Sequence, residues 1–169
     1  MPFCLRDRDF ASELAGVRSV LIVPCRFCPA ASLAVRKQQP YMDVFKNLMR
    51  TAAYEEYIQT LTVGLERKGI RVEVFDCKLP IHFILCMWPQ GRRAALSRRA
   101  ARHDAVLVLG CDCALKTAET SLKDLPKCRI IHGMEAEGVM NVVPRIELPF
   151  KIKLKVTGVT QVKQTPAAG

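Results

Sequence analysis

The residues best placed to do chemistry in this chain are cysteines. Cys25 and Cys28 form a C-x2-C pair, Cys77 stands apart, and Cys111 and Cys113 flank Asp112. Each set follows directly on a short apolar run: VRSVLIVP precedes Cys25, RVEVFD precedes Cys77 and AVLVLG precedes Cys111. Thiolates are soft ligands and good nucleophiles. Sulfurs gathered at one place can hold an iron–sulfur cluster or a zinc ion, or can cycle among thiol, disulfide and persulfide. Free cysteine also serves as a small inert core residue. That reading suits the isolated Cys4 better than sets repeated at corresponding places.

The elements that must position these sulfurs read as a parallel sheet. Continuous apolar runs bounded by breakers predict buried strands over residues 17–23, 70–76 and 105–109, with a shorter one over 128–132. Helical segments separate them: a turn or two after Cys28, an amphipathic helix over 51–68, and helices over 92–103 and 114–122. In the 51–68 segment Tyr54, Tyr57, Ile58, Leu61 and Leu65 share one face, and Gly69 is placed to end it. The order β-α-β-α-β-α-β predicts an α/β fold. Its core is a single three-layer domain whose four-stranded parallel sheet has the flavodoxin-like order 2-1-3-4. Residues 1–16 read as a lead-in, 17–133 as the cysteine-rich core domain, and 134–169 as a C-terminal β extension and tail.

That topology gathers the sulfurs. Ligands bind open α/β sheets beyond the carboxyl ends of the strands, and neighbouring strands are about 4.8 Å apart. Loops from three consecutive strands then bring Cys25, Cys28, Cys77, Cys111 and Cys113 around one centre. Cys113, expected near the start of the 114–122 helix, should have its thiolate favoured there. Arg26 and Lys78 stand beside the cysteines to balance the charge of an anionic centre. Cys128 falls at the opposite edge of the sheet, whereas His132 falls on the cysteine edge. His82 and Cys86, in the apolar stretch 81–88, read as core packing.

Composition bounds the setting. The chain has 169 residues, half of them hydrophobic, which suffices for one self-supporting core. No apolar run reaches transmembrane length, and the charged N-terminal stretch does not read as a signal peptide. A reducing, cytoplasmic setting is expected, where eight cysteines point to metal, cluster or redox chemistry rather than a disulfide scaffold. The net charge of +10 suits an acidic partner or an anionic cofactor. No basic motif interleaved with aromatics supports nucleic-acid binding, and neither a P-loop nor a G-x-G-x-x-G is present. The segment RRAALSRRAARH carries Arg92, Arg93, Arg98, Arg99 and Arg102 with no carboxylate among them. These arginines are expected to project outward and dock an acidic surface, with Arg92 and Arg93 nearest the cysteine edge. In the C-terminal segment Ile152, Leu154 and Val156 alternate with Lys151, Lys153 and Lys155, predicting a half-exposed β hairpin that turns near Thr157 and Gly158.

On Cys25 and Cys28, Cys77, and Gly110-Cys111 with Cys113, the chain resembles the iron–sulfur delta subunits of methyl-viologen-reducing hydrogenases. It is similar as well to the cysteine-bearing domains that accompany heterodisulfide-reductase-like complexes and methylenetetrahydrofolate reductases. The resemblance covers residues 17–133 and differs in the tight Cys-Asp-Cys, the long segment after Cys28 and the Lys-rich C-terminal strands. It implies a small α/β subunit that carries a [2Fe-2S] or [4Fe-4S] cluster and passes electrons to larger redox subunits. Residue chemistry alone leaves two alternatives open: a thiol or persulfide protein that handles sulfur, and a zinc-stabilised adaptor.

Overall fold

The structure, a computed structural model, describes residues 1–43, 50–76 and 82–161. Cys77 and Lys78 lie outside the described residues. In chain order the elements are β1 (Phe3–Asp7), β2 (Ser19–Pro24), α1 (Cys28–Arg36), β3 (Met42–Asp43), α2 (Ala52–Arg67) and β4 (Arg71–Val74). They continue with α3 (Gln90–Ala100), β5 (Ala105–Leu109), α4 (Asp112–Leu122), β6 (Arg129–His132), β7 (Met134–Glu147) and β8 (Lys151–Thr160).

The apolar runs become a four-stranded parallel sheet ordered β4-β2-β5-β6. Every residue of β2 and β5 is buried, as expected of central strands covered on both faces. Leu21, Ile22, Leu107 and Leu109 are fully buried. Truncating any one of these leucines to alanine should cost about 2–5 kcal/mol. Helix α2 follows its 3.6-residue pattern: Tyr54, Ile58 and Leu65 are buried, and Gly69, at φ 79°, turns the chain into β4.

A second sheet, antiparallel and ordered β1-β7-β8-β3, completes the mixed α/β architecture. Residues 1–16 are more than a lead-in, because β1 pairs with β7 from Phe3 opposite Val139 to Asp7 opposite Met134. The same segment holds a single 3-10 turn, Ser12–Leu14. The C-terminal hairpin forms, but its turn lies at residues 148–150 rather than near Thr157 and Gly158. Gly158 instead pairs with Asn141, next to an irregularity in the ladder. A glycine inside a strand can mark such a bulge as readily as a turn. Helix α1 packs against β1, β8 and α2, so the first cysteine-bearing helix lies against the antiparallel sheet. No helix among the described residues is long and apolar enough to cross a membrane.

Candidate thiol-cluster site

Two strand–helix junctions build the site. β2 ends at Pro24, which pairs with Leu109 of β5, and the pairing runs one residue further through Cys25 N–H to the Leu109 carbonyl at 2.8 Å. Cys25 therefore lies beside the end of β5. Cys28 opens α1, with Pro29 in its first turn, where the missing N–H costs no hydrogen bond. Across the sheet, Cys111 is the N-cap residue of α4. Two helix N-termini thus converge on one edge, and each brings a sulfur.

Gly110 permits this approach. A Cβ there would lie 2.5 Å from the Ala114 Cβ and 3.3 Å from the Cys25 Cβ. His132, at the end of β6, holds the same turn: its Nε2–H donates to the Gly110 carbonyl at 2.8 Å, which leaves Nδ1 3.9 Å from Asp112. The Tyr54 hydroxyl donates to the Leu109 carbonyl at 3.2 Å from beneath.

Cys25, Cys28 and Cys111 are all buried. The Cys28 thiol hydrogen-bonds the Cys111 sulfur. That bond, with backbone N–H groups of Ala114, Cys113 and Cys111 itself, lowers the Cys111 pKa to about 6 against its burial. The same bond and desolvation push the Cys28 thiol well up. Burial raises Cys25 to about 11, although N–H groups of Leu85 and Phe27 face its sulfur. The N–H of Phe3, from β1, faces the Cys28 sulfur. Helix-terminal and loop N–H donors pointed at sulfur favour negative charge there.

The structure corrects where the favoured thiolate sits and brings one further sulfur to the rim. Cys113, expected to hold the favoured thiolate, lies one residue inside α4, and desolvation and the Cys111 charge raise its pKa. The N-cap position, and with it the favoured thiolate, belongs to Cys111. Cys86, read from sequence as core packing, is exposed in the 3-10 turn Leu85–Met87, which packs on α4. It is close enough to raise the pKa of Cys113 and Cys25 through its charge. The rim thus carries Cys86 and Cys113 over the buried Cys25, Cys28 and Cys111. Cys86 had one signal in the sequence: the excursion that bears it leaves the same sheet edge as the other cysteines. As placed, no three His, Cys, Asp or Glu side chains among the described residues surround a common metal-ion position.

The flanking charges differ from expectation as well. Arg26 is 4% exposed, and its guanidinium is paired with Glu55 at 2.8 Å and Asp76 at 3.3 Å. Its charge therefore ties α2 and the end of β4 to the site rather than standing open to the sulfurs. On α3 the arginines do not all project outward. Arg92 lies over the Phe75 ring at 4.0 Å and the Trp88 ring at 5.1 Å and donates to the Asp76 carbonyl. Arg93 donates to the Trp88 carbonyl at 3.0 Å, and Arg99 pairs with Glu73. Arg98 and Arg102 are exposed. Cys128 lies at the start of β6 and Cys4 on β1, where its thiol donates to Glu137 at 3.3 Å. Comparison with protein-family models, curated proteins and solved structures returns no match to this chain.

Proposed function

We propose that the chain is an iron–sulfur electron-transfer or accessory subunit of a heterodisulfide-reductase-like redox complex, acting in a reducing cytoplasm on a flavodoxin-like, three-layer α/β core. The observation that carries this reading is the convergence of buried Cys25, Cys28 and Cys111 at one sheet edge, with backbone N–H groups facing their sulfurs. An all-sulfur donor set suits a cluster, and N–H donors to sulfur stabilise its negative charge. A [2Fe-2S] or [4Fe-4S] cluster would be held by Cys25, Cys28 and Cys111, with a fourth ligand from Cys77, Cys86 or Cys113. When bound, it supplies one-electron chemistry. The protein's part is to keep the sulfurs dry and fixed through α4, His132 and Gly110, with N–H donors facing them. A single zinc ion is the weaker fit, since it needs its ligands drawn tightly around one point. The acidic docking partner would meet α3 through Arg98 and Arg102, since Arg92, Arg93 and Arg99 are engaged within the fold.

The Cys28–Cys111 hydrogen bond favours a second reading, thiol–disulfide exchange. The Cys111 thiolate would attack a partner disulfide and release one partner thiolate. Cys28 would then displace the other, leaving a Cys28–Cys111 disulfide and a reduced partner.

Purification without oxygen separates the two. The cluster reading expects brown protein with iron and acid-labile sulfide in equal amounts, both lost in Cys25→Ser, Cys28→Ser and Cys111→Ser. Colourless protein that takes up no iron on anaerobic reconstitution would sink it. A Cys28–Cys111 disulfide seen by mass spectrometry in such protein would support the exchange reading.

A further inference from the structure

Near its tip the β7–β8 hairpin is flanked in the sheet, among the described residues, by β3 alone, with Met42 opposite Ile152 and Asp43 opposite Lys151. Its cross-strand pairs sort by face: Val142 with Val156, Pro144 with Leu154 and Ile146 with Ile152 on one side. On the other side stand Val143 with Lys155, Arg145 with Lys153 and Glu147 with Lys151. The base of the apolar face, Val142, Leu154 and Val156, packs against the core. Toward the tip that face loses its cover, and Ile146, Leu148 and Phe150 are 77%, 89% and 55% exposed. Isolated exposed apolar residues are ordinary, but a contiguous group at a projecting tip marks a contact surface.

The order of side chains along the hairpin indicates what it contacts. Outermost are Leu148, Pro149 and Phe150, and one pair further back are Ile146 and Ile152. Lys151, Lys153, Lys155 and Arg145 stand on the opposite face within a few residues of the tip. At about 3.3 Å per residue they lie within roughly 3–17 Å of it. Two carboxylates stand among them: Glu147, which Lys153 pairs at 2.9 Å, and Asp43 of β3, opposite Lys151. A bilayer surface presents its acyl boundary and anionic phosphates in the same sequence of depths, and amphipathic anchors bury about 5–10 Å into it. A protein pocket imposes no such layering. The usual way for a protein to seize an exposed hairpin, adding a strand to its edge, is opposed here. β1 covers β7 only as far as Val139, and the edge beyond it, uncovered among the described residues, carries Pro144, which has no N–H to offer.

We propose that the distal β7–β8 hairpin is a membrane-surface anchor. It inserts Ile146, Leu148 and Phe150 at the headgroup boundary of an anionic bilayer and sets Arg145, Lys151, Lys153 and Lys155 against lipid phosphates. This inference does not depend on what the thiols hold.

Co-sedimentation of the full chain with vesicles tests it. The chain should partition onto phosphatidylcholine vesicles containing about 30% phosphatidylserine and far less onto phosphatidylcholine alone. Leu148→Asp should abolish binding while leaving the circular dichroism and thermal midpoint unchanged, because that side chain is 89% exposed. Replacing Lys151, Lys153 and Lys155 by Gln should weaken binding about fivefold per lysine, and high salt should do the same. Absence of binding to the anionic vesicles, or binding indifferent to the tip substitution, overturns the proposal. So does a tip-dependent dimer in sedimentation velocity with no vesicle binding, which would assign the face to a second copy of the chain.

Discussion

At the scale of single residues, Cys111 is the most distinctive group in the molecule. Its sulfur takes a hydrogen bond from Cys28 and faces the first N–H groups of α4, and these outweigh its burial. In cluster-free protein, thiolate absorbance attributable to Cys111 should therefore appear with a midpoint near pH 6, well below the ordinary value of 9.0. Cys28→Ala removes the largest cause, so that midpoint should rise, while a conservative change at Cys113 should move it little. The sign for stability follows. Between pH 6 and 9 the unfolded chain holds a proton on this sulfur that the folded protein does not. Stability from Cys111 is thus fully present above pH 9 and is lost as pH falls through 6. Cys25, raised to about 11, works oppositely and loses its contribution as pH rises through that value. A Cys111 midpoint that ignores Cys28→Ala would remove the hydrogen bond from the account.

Among the elements, the β5–α4 junction bears the tightest constraint. Gly110 joins a fully buried strand to a helix whose Ala114 already occupies the space of a side chain. Gly110→Ala must push α4 away from β2, because the 2.5 Å contact is to a short side chain that cannot swing aside. The expected cost is about 1–3 kcal/mol in chemical denaturation. A more telling readout is the Cys111 midpoint, which should rise as the sulfur separates from Cys28. Ala114→Gly in the same chain should recover part of both effects by vacating the space. Failure of that rescue would mean that the approach of Cys25, whose Cβ lies 3.3 Å from the same position, is what excludes a side chain. α3 shows a different kind of constraint. Its first turn is held by Arg92 stacked on Phe75 and Trp88, so charge that reads as a docking face in sequence is partly spent on holding the helix to β4.

For the whole molecule, the two sheets meet at the thiol site. β1 closes the antiparallel sheet and also supplies the Phe3 N–H that faces the Cys28 sulfur. Ser32 of α1 accepts from Leu5 N–H at 2.9 Å, tying that strand to the cysteine-bearing helix, and its one hydroxyl proton has the Cys28 carbonyl at 2.9 Å and the Phe3 carbonyl at 3.1 Å as acceptors. Removing residues 1–7 would expose one edge of β7 and the fully buried Leu5 pocket. The truncated chain should lose at least about 3 kcal/mol of stability. Its Cys28 should become open to iodoacetamide, as peptide mapping would show. Unchanged unfolding with Cys28 still protected would mean that β1 is dispensable and the sites are independent.

What could be read locally was largely present in the sequence. The run AVLVL is strand β5, and the spacing of Tyr54, Ile58 and Leu65 is the buried face of α2. The alternation of Ile152, Leu154 and Val156 with lysines sorts the two faces of β8. Hydrophobic periodicity carries this information because it reports which side of an element must leave water. Placement of Cys25, Cys28 and Cys111 at strand ends followed from the same runs. Tertiary structure decided the rest. FCLRD becomes β1 only because β7 offers an edge, in a register that sets Phe3 opposite Val139. Arg26 faces carboxylates of α2 and the β4 end that its own neighbours do not foretell. Cys86 joins the rim because a turn packs on α4, and the thiolate falls to Cys111 because the helix begins two residues earlier than its apolar pattern. Pairing of distant edges and the exact start of a helix depend on partners far along the chain, and a local pattern holds no record of them.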